Sequence, residues 1–510
     1  MRADFGQGLP PQCWEYIMNV ARSHKWNFVF MTESLDGGAV TYRSARHFEI
    51  LNENIIFPFK AATQTSDYRG IFDQRRSAYG QALVLLNNTS HDEENYDDPF
   101  QALIRYGVCN SIDGAPMIFY GQENGVTRTF GYSHYETNFG KQIPHFKVFN
   151  DLGPIIGNPG SGTQYLYPVY AAMGQARQFS RALRSSNRYY LNQIGGSIQQ
   201  SIFSVAKYET PNGSPASTDV VFGFMNLDRN NDQQGNFDVN ITQNGSNLFG
   251  IKSARTYDVK NIAAYTGFDS NRRNVFLNRK TGAQLFSGGL FVGLKKVPTS
   301  DAGWQTAPFE AQYLKLYDVT APSTTPGTAA PPNAYLYGLG NNVTVSWNAA
   351  PSDGEVTPCY KVIVNGNPNP FVTCSTTTTL SGAIGDMLTV VIQTVNPSDN
   401  SVTGPSSSPV TIKLIDPNAD DDGDGTTNSA EDTAGTNPFD ANSTFRIMSV
   451  TSSSVPWSTV PGRKYQLQHS NVPTGNSFTS IGPEVTASSS SFSESISVTP
   501  PEFFRVIIVP

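Results

Sequence analysis

Short apolar runs alternate with amphipathic segments over the first 190 residues of this 510-residue chain. Each run is short and continuously apolar, as expected for strands that are buried on both faces of a sheet. The runs are residues 26–31, 54–59, 81–86 and 116–120. The helical segments are residues 11–23, 68–79, 99–109 and 168–184. This repetition predicts parallel strands covered by helices.

Four such strands and the end of a fifth amount to about half of a (β/α)8 TIM barrel, which has eight strands and about 250 residues. Half a barrel leaves two sheet edges open. We therefore expect residues 1–191 to form the C-terminal half of a barrel, from strand four or five to strand eight. The other half would be encoded upstream of Met1, so that the chain is truncated at its N-terminus.

The remaining sequence predicts all-β sandwich domains, which makes the chain multidomain. Residues 192–320 have short strands with Asn-Gly and Gly-rich turns, typical of an antiparallel β domain. Residues 320–332 are rich in Pro, Thr and Ala and indicate a linker. Residues 333–415 alternate as in a β-sandwich. An acidic loop at 416–443 and a small β module at 444–510 follow.

Acidic residues follow the predicted strands at three points. Asp4 would end a strand, Glu33 follows the run 26–31, and Asp92 follows the run 81–86. Carboxylates gathered at the carboxyl ends of barrel strands are what glycosidic-bond cleavage requires. Side chains two apart on a strand face the same way, so Arg2 and Asp4 would both point into the barrel mouth. The Arg2 guanidinium would favour an ionised, nucleophilic Asp4.

These residues resemble, in order, parts of the α-amylase family of glycoside hydrolases. The tripeptide Arg-Ala-Asp at 2–4 resembles the end of that family's strand four, and Glu33 resembles the residue that ends strand five. The His-Asp pair at 91–92 resembles the end of strand seven, and residues 114–123 resemble strand eight. The family's strand-three motif is absent. Ser90 stands where the family usually has Asn before the His-Asp pair.

The resemblance implies retaining cleavage of α-glucosidic bonds in α-glucans such as starch or maltodextrin. Asp4 would be the nucleophile, Glu33 the acid/base, and Asp92 a third catalytic carboxylate that grips sugar hydroxyls. The implied substrate-binding residues are Arg2, His91 and Tyr120. The partner would be an α-glucan oligosaccharide or polysaccharide.

Two alternatives remain open at this point. The same residues would serve an α-glucan transglycosylase or a sugar isomerase of the same family. A hypothesis from another class is a non-catalytic, carbohydrate-binding surface protein with adhesive β modules. Aromatic residues such as Trp457 would contact glycan if they were exposed, but a position in the core is the favoured interpretation for them. Because half of the substrate rim would be absent, we expect the 510-residue chain alone to be inactive or nearly so.

Residues 420–431 read Asp-Asp-Asp-Gly-Asp-Gly-Thr-Thr-Asn-Ser-Ala-Glu, which fills the pattern of a calcium loop. Pro417 prevents a helix from leading into it, so the loop is not a two-helix EF-hand. It resembles the loops of dockerin or thrombospondin type 3 segments, and residues 333–415 resemble a fibronectin type III module. The alternative interpretation of residues 420–431 is an acidic flexible linker that binds no metal. The predicted Ca²⁺ ligands are Asp420, Asp422, Asp424, Thr426 through its carbonyl, Asn428 and Glu431.

Composition excludes some classes of function. The net charge is −7 without a basic cluster, so the electrostatic footprint of a nucleic-acid-binding protein is absent. The sequence contains no run of 18 apolar residues, so no membrane-spanning helix is predicted. We expect a secreted monomer whose signal peptide lies upstream of Met1. Cys359 and Cys374 would pair in an oxidising compartment, and a free pair is the alternative.

Overall fold

The computed structural model describes residues 1–4, 6–33, 48–52, 55–80, 82–88, 99–119, 122–124, 163–264, 278–296, 311–474, 477–497 and 502–509. The chain divides into two compact units, Met1–Thr320 and Ala321–Pro510. Within the described ranges, no helix is long and apolar enough to cross a membrane. The predicted site residues His91, Asp92 and Tyr120 lie outside these ranges.

The first unit begins with a five-stranded parallel sheet in which each strand pairs with the next one along the chain. Its strands are β1 (Arg2–Ala3), β2 (Met31–Glu33), β3 (Ile50–Asn52), β4 (Leu83–Asn87) and β5 (Ala115–Met117). The helices are α1 (Pro11–His24), α2 (Ile56–Ala61), α3 (Thr65–Tyr79), α4 (Pro99–Asn110), α5 (Thr163–Phe179) and α6 (Arg181–Arg184). Short 3₁₀ turns lie at Gly6–Gly8 and Gln122–Asn124. This part of the chain is therefore α/β in character.

Two strand predictions were displaced. The strand predicted at 54–59 is wrong: the strand is β3, and residues 56–59 of the apolar run lie in helix α2. Ile55 and Phe59 are buried four positions apart while Phe57 between them is exposed, which is a helical spacing. A short apolar run does not by itself separate strand from helix. The run 26–31 also begins too early, because Trp26 is 86% exposed and β2 starts only at Met31.

Strands β1 to β4 bury one face under the helices. Ala3, Thr32, Leu51 and Val84 occupy that face and are each at most 6% exposed. On α1, Trp14 and Met18 lie four residues apart on the buried side, and Pro11 occupies a first-turn position that needs no backbone N–H. The strands are thereby held with their carboxyl ends free to carry polar side chains.

The next part of the first unit is antiparallel. Its strands are β6 (Arg188–Tyr190), β7 (Ile202–Tyr208), β8 (Val220–Asn226), β9 (Gln233–Phe237), β10 (Thr242–Gln243), β11 (Ser246–Asn247), β12 (Thr256–Asn261), β13 (Lys280–Thr281), β14 (Leu290–Leu294) and β15 (Ala311–Asp318), with helix α7 at Gly282–Gly288. The main sheet has the order β13-β12-β15-β8-β7-β6, and β14 pairs with β9. Every residue of β7 and β8 is buried.

The alternation of side chains explains this two-sided burial. Phe203 and Val205 of β7 belong to the core shared with the helices, whereas Ile202 and Ala206 belong to a second core with β9 and β14. Helix α4 is buried along almost its whole length because it packs against β8 as well as β4 and β5. The α/β part and the β part therefore form one packed unit.

The second unit begins with a β-sandwich. Its strands are β16 (Tyr337–Leu339), β17 (Asn342–Ser346), β18 (Cys359–Val364), β19 (Phe371–Thr373), β20 (Thr377–Ser381), β21 (Met387–Asn396), β22 (Asp399–Ser406) and β23 (Val410–Ile415). One sheet has the order β16-β23-β21-β18-β19 with β22 on β21, and β17 pairs with β20. Trp347 and Tyr360 lie in the core. A disulfide joins Cys359 to Cys374.

Residues before position 333 already belong to this sandwich. Ala330 pairs with Ser346, Ala329 is fully buried, and the amide of Gly327 donates to the carbonyl of Asn348 at 2.9 Å. The segment predicted as a linker is therefore partly ordered against β17.

A helix and a small β module complete the chain. The elements are α8 (Asn428–Ala434), β24 (Ser454–Ser458), β25 (Lys464–Ser470), β26 (Thr479–Thr486), β27 (Ser491–Ser495) and β28 (Phe503–Val509). Strand β24 pairs with β27, and β25 lies between β26 and β28. Trp457 is 1% exposed and packs with Tyr465 in the module's core, so its ring is not a surface for glycan.

A buried hydrogen bond between β15 and α4 helps to join the two parts of the first unit. The Tyr313 hydroxyl on β15 donates to the carbonyl of Gly107 on α4 at 2.7 Å. We expect Tyr313→Phe to lower the free energy of unfolding by about 0.5–1.5 kcal/mol, because one buried hydrogen bond is lost while the Gly107 carbonyl keeps the Ser111 amide as a donor. Chemical denaturation of the first-unit transition measures this loss. The control is Tyr16→Phe at an exposed position, and an equal effect of both variants would contradict the prediction.

Lys207 on β7 is also fully buried, and its ammonium donates to the carbonyl of Ser185 at 2.7 Å. Burial lowers the pKa of Lys207 to about 7; Asp113 opposes this shift, and Arg177, Arg188 and Arg76 add to it. Because the folded-state pKa is lowered, the unfolded chain binds more protons between about pH 7 and pH 10. The first unit therefore gains stability as the pH rises through that window.

We expect Lys207→Met to raise the melting temperature more at pH 6 than at pH 9. The substitution removes the cost of burying a charged ammonium, and that cost is largest below about pH 7, where Lys207 is protonated in the folded chain. Scanning calorimetry at both pH values, with Lys252→Met at an exposed position as the control, measures the difference. A gain of the same size at both pH values would refute the argument.

Candidate functional site

One guanidinium brings two of the predicted catalytic residues together. Strands β1 and β2 are parallel neighbours in which Arg2 is opposite Met31 and Ala3 is opposite Thr32. Asp4 directly follows β1 and Glu33 is the last residue of β2, so both lie at the carboxyl ends of these two strands. The Nη1 atom of Arg2 contacts the Asp4 carboxylate, and Nη2 donates to Oε2 of Glu33 at 2.7 Å.

The two carboxyl groups lie in different surroundings. The Asp4 side chain is 76% exposed, whereas that of Glu33 is 12% exposed. The Arg2 guanidinium lies between them and interacts favourably with whichever carboxyl group is ionised. Two carboxyl groups in unlike environments are what acid–base chemistry at a sugar requires, because one must hold a proton while the other is ionised.

The backbone beside Asp4 is fixed by close packing. The Gly6 carbonyl accepts a hydrogen bond from Nε1 of Trp14 at 2.8 Å, which ties the turn after β1 to α1. A Cβ atom at Gly6 would collide with the side chain of Thr32. Glycine is therefore required for this turn to pass so close to β2. The backbone nitrogen of Met1 donates to the carbonyl of Val29 at 2.9 Å, which adds a second contact between this segment and the residues before β2.

The structure also places a polar residue that the sequence interpretation missed. Asn52 ends β3 directly opposite Glu33 and is 6% exposed. Assigning the strand to 54–59 hid this residue. The available signal was a polar residue directly after the apolar pair Ile50-Leu51. Asp92, His91 and Tyr120 remain predictions, because they lie outside the described residues.

The second candidate site is the acidic loop. Carboxylate oxygens of Asp420, Asp422 and Asp424 lie within 4.8 Å of one another. Glu431, on the first turn of α8, is fully buried. Three buried oxygens have no hydrogen-bond donor: Oδ2 of Asp422, Oδ2 of Asp424 and Oε2 of Glu431. Burying charged oxygens without partners is costly, so the loop fits a hard cation with oxygen ligands such as Ca²⁺.

Electrostatics supports the same interpretation. Burial, together with the charges of Asp422, Asp424 and Asp420, raises the pKa of Glu431 to about 7. Burial and the neighbouring acids also raise the pKa of Asp422. A divalent cation would remove this repulsion and favour the ionised carboxylates.

Backbone donors organise the loop around Asp420. Its carboxylate accepts from the amides of Gly423 and Gly425 at 2.8 Å and from that of Asp424 at 3.2 Å. Gly423 and Gly425 have φ values of 78° and 93°, a region that glycine occupies without strain. Thr426 donates its amide to Asp424 at 2.7 Å.

Asn428 has a different environment from that of an ordinary loop ligand. Its side-chain amide donates to the carbonyl of Asp416 and to the carboxylate of Asp421, and its Oδ1 accepts from the Asp421 amide at 3.2 Å. Asn428 thus closes the loop through protein contacts. A residue that the pattern did not reveal is Thr436, whose hydroxyl donates to Oε1 of Glu431 at 3.2 Å.

Comparison with known proteins gives low similarity. No protein-family model matches the chain. A 71-residue stretch is 31% identical to Delta(7)-sterol 5(6)-desaturase ERG3B of Gibberella zeae. This stretch covers 14% of this chain and 22% of that enzyme.

Among solved structures, similar chains include two α-amylases. The Anoxybacillus α-amylase is 13% identical with a TM-score of 0.41 and covers 63% of this chain and 59% of its own. The α-amylase of H. orenii is 13% identical with a TM-score of 0.34 and covers 60% and 56%. The FN1–FN3 domains of chicken CNTN1 are 11% identical with a TM-score of 0.20 and cover 59% and 91%. The chain thus spans little more than half of either amylase, and the geometry of its own residues must carry the functional argument.

Proposed function

We propose that this chain carries part of the active site of a retaining glycoside hydrolase that cleaves α-glucosidic bonds in α-glucans. The observation that carries the proposal is the Arg2 guanidinium, which holds Asp4 and Glu33 at the carboxyl ends of two neighbouring parallel strands. Polar groups at that end of parallel strands are the usual source of catalytic residues in α/β folds.

In the proposed reaction, the Asp4 carboxylate attacks the anomeric carbon while Glu33 gives its proton to the departing glycosidic oxygen. This forms a covalent glycosyl–enzyme ester and releases the first sugar product. Glu33 then takes a proton from water, whose oxygen attacks the same carbon and frees Asp4. Arg2 orients both carboxyl groups. Asp92, His91 and Tyr120 complete the proposed set as contacts to the sugar.

The same constellation supports transfer to a sugar acceptor, because any hydroxyl that reaches the ester intermediate replaces water. α-Glucan transglycosylation or sugar isomerisation is therefore the second candidate. The purely adhesive alternative loses its named glycan contact, because Trp457 is in a core.

We further propose that the loop binds Ca²⁺ through Asp420, Asp422, Asp424, the Thr426 carbonyl and Glu431. Asn428, at position nine of the loop, remains the sixth proposed ligand, and its side chain also makes the protein contacts described above. The Cys359–Cys374 disulfide fits a protein that matures in an oxidising compartment, in keeping with the proposal that it is secreted.

We expect Glu33→Gln, made in the natural full-length protein, to lower kcat/KM on maltooligosaccharides by about 10²–10⁴-fold, since the amide has no proton to donate. Retention of maltooligosaccharide binding by calorimetry separates loss of chemistry from loss of folding. Glu484→Gln, at an exposed position in the last module, is the matched control. Turnover at the unsubstituted level would remove Glu33 from the mechanism.

A Glu33→Ala variant adds a readout that a structural role would not give. With an aryl α-glucoside, whose leaving group needs no proton, azide should restore turnover and yield the glucosyl azide of retained configuration.

We expect Ca²⁺ to bind the loop with a dissociation constant of about 0.1–1 mM, the range of extracellular modules. At 10 mM Ca²⁺ the second unit should gain about 1–3 kcal/mol of stability, seen as a higher melting temperature. Asp422→Asn should weaken calcium binding by about tenfold or more, since it removes one ligand charge. Asp440→Asn, outside the loop and exposed, should leave calorimetric binding unchanged; equal affinities in the two variants would exclude the loop as the site.

A further inference from the structure

Helix α8 contacts the modules on both sides of the acidic loop. The loop leads from the sandwich, whose last strand is β23, into α8, and the small C-terminal β module follows. All of these elements belong to the second compact unit. The contacts of α8 therefore bear on what calcium at the loop would do, an inference that depends on the calcium site proposed above.

On the sandwich side, the contact is a buried hydroxyl. The Tyr337 hydroxyl donates to Oδ1 of Asp432 at 2.8 Å, and Tyr337 is 1% exposed. Lys413, the neighbour of Tyr337 across the β16–β23 pair, donates to the carboxylate of Asp421 at 2.8 Å. The Phe439 ring packs edge-on against Tyr337 at a centroid distance of 6.1 Å. One sandwich edge thus holds the loop, the helix and the segment after it.

On the other side, the contact is a guanidinium at the end of the helix. Arg463, just before β25, donates to the carbonyl of Asp432 at 2.8 Å and to that of Thr433 at 2.5 Å. The last carbonyls of a helix lack partners within the helix and carry partial negative charge, so a cation there is favourable. Gly435 ends the helix with φ of 77°, and a Cβ atom there would collide with the Arg463 side chain.

The two contacts converge on the residue that follows the last proposed ligand. Glu431 offers its unpartnered Oε2 to the metal, and Asp432 binds the sandwich through its side chain and the C-terminal module through its carbonyl. We propose that the loop is a calcium-dependent joint: metal binding at Glu431 orders α8, and ordered α8 holds the C-terminal module to the sandwich. Without the metal, repulsion among the buried acids loosens α8 and both contacts weaken.

Because coupling is reciprocal, the joint contacts must also strengthen calcium binding. Arg463→Ala should therefore weaken calcium affinity several-fold although Arg463 is not a ligand. Tyr337→Phe keeps the buried ring, removes only the hydroxyl, and should act in the same direction. Arg446→Ala is the matched control, because this exposed arginine lies in the same module and its structural contacts come from its backbone.

The test combines calorimetry with hydrogen exchange of the whole chain, in Ca²⁺ and in a calcium chelator. The joint predicts that chelation speeds exchange by about fivefold or more in three stretches: α8, β16 and the residues around Arg463. In Arg463→Ala, the stretch around residue 463 should exchange rapidly even with Ca²⁺ present, while α8 stays protected.

Three different results would overturn the proposed joint. If calorimetry shows calcium binding but chelation changes exchange only within residues 419–431, the loop binds metal and the joint is wrong. If calorimetry shows no calcium binding by the unsubstituted chain, the proposed metal site fails and the joint fails with it. Equal calcium affinities of Arg463→Ala and the unsubstituted chain would also refute the coupling.

Discussion

The register between two short parallel strands is the constraint on which the candidate active site depends. Arg2 pairs opposite Met31, which places Asp4 and Glu33 at one edge and within reach of one guanidinium. A shift of one residue would send the side chains of one strand to the other face of the sheet and separate the carboxyl groups. The close passage of Gly6 over Thr32 and the bond from Trp14 hold that register locally.

The β part of the first unit supports this edge indirectly. Strands β7 and β8 bury both faces, so they are a structural layer shared by two cores. The helices that cover the parallel sheet are thereby packed on two sides. A rigid support of this kind is what positions catalytic groups, whose chemistry depends on fractions of an ångström.

The sequence predicted the parts of the fold in which pattern and length agree. Helices α1, α3 and α4 were each predicted within a few residues, because amphipathic spacing over three turns or more is distinctive. Residues 54–59 failed because Ile55 and Phe59 satisfy a helix as well as a strand, and only tertiary packing decides between them. That error concealed Asn52.

For the sites, the sequence indicated the residues that stand at recognisable positions, namely directly after a strand or at fixed positions of the calcium-loop pattern. Arg2, Asp4 and Glu33 do meet, and the acids of the loop do cluster. The sequence contains no signal for the roles of Tyr337 and Arg463, since each is distant along the chain from the helix it contacts. It also gave no signal that the Asn428 amide would be engaged by Asp416 and Asp421. Contacts between residues that are far apart along the chain leave no local pattern in the sequence.

The bridge between Cys359 and Cys374 has a consequence for the solubility of the sandwich. It closes the hairpin of β18 and β19 beside the directly paired residues Tyr360 and Thr373. Strand β19 is the last in its sheet and shows Phe371 and Val372 to solvent, 44% and 37% exposed. An apolar strand at a sheet border is a template for intermolecular β-pairing. By fastening β19 to β18, the disulfide keeps β18 from becoming a second exposed edge that could pair with another molecule.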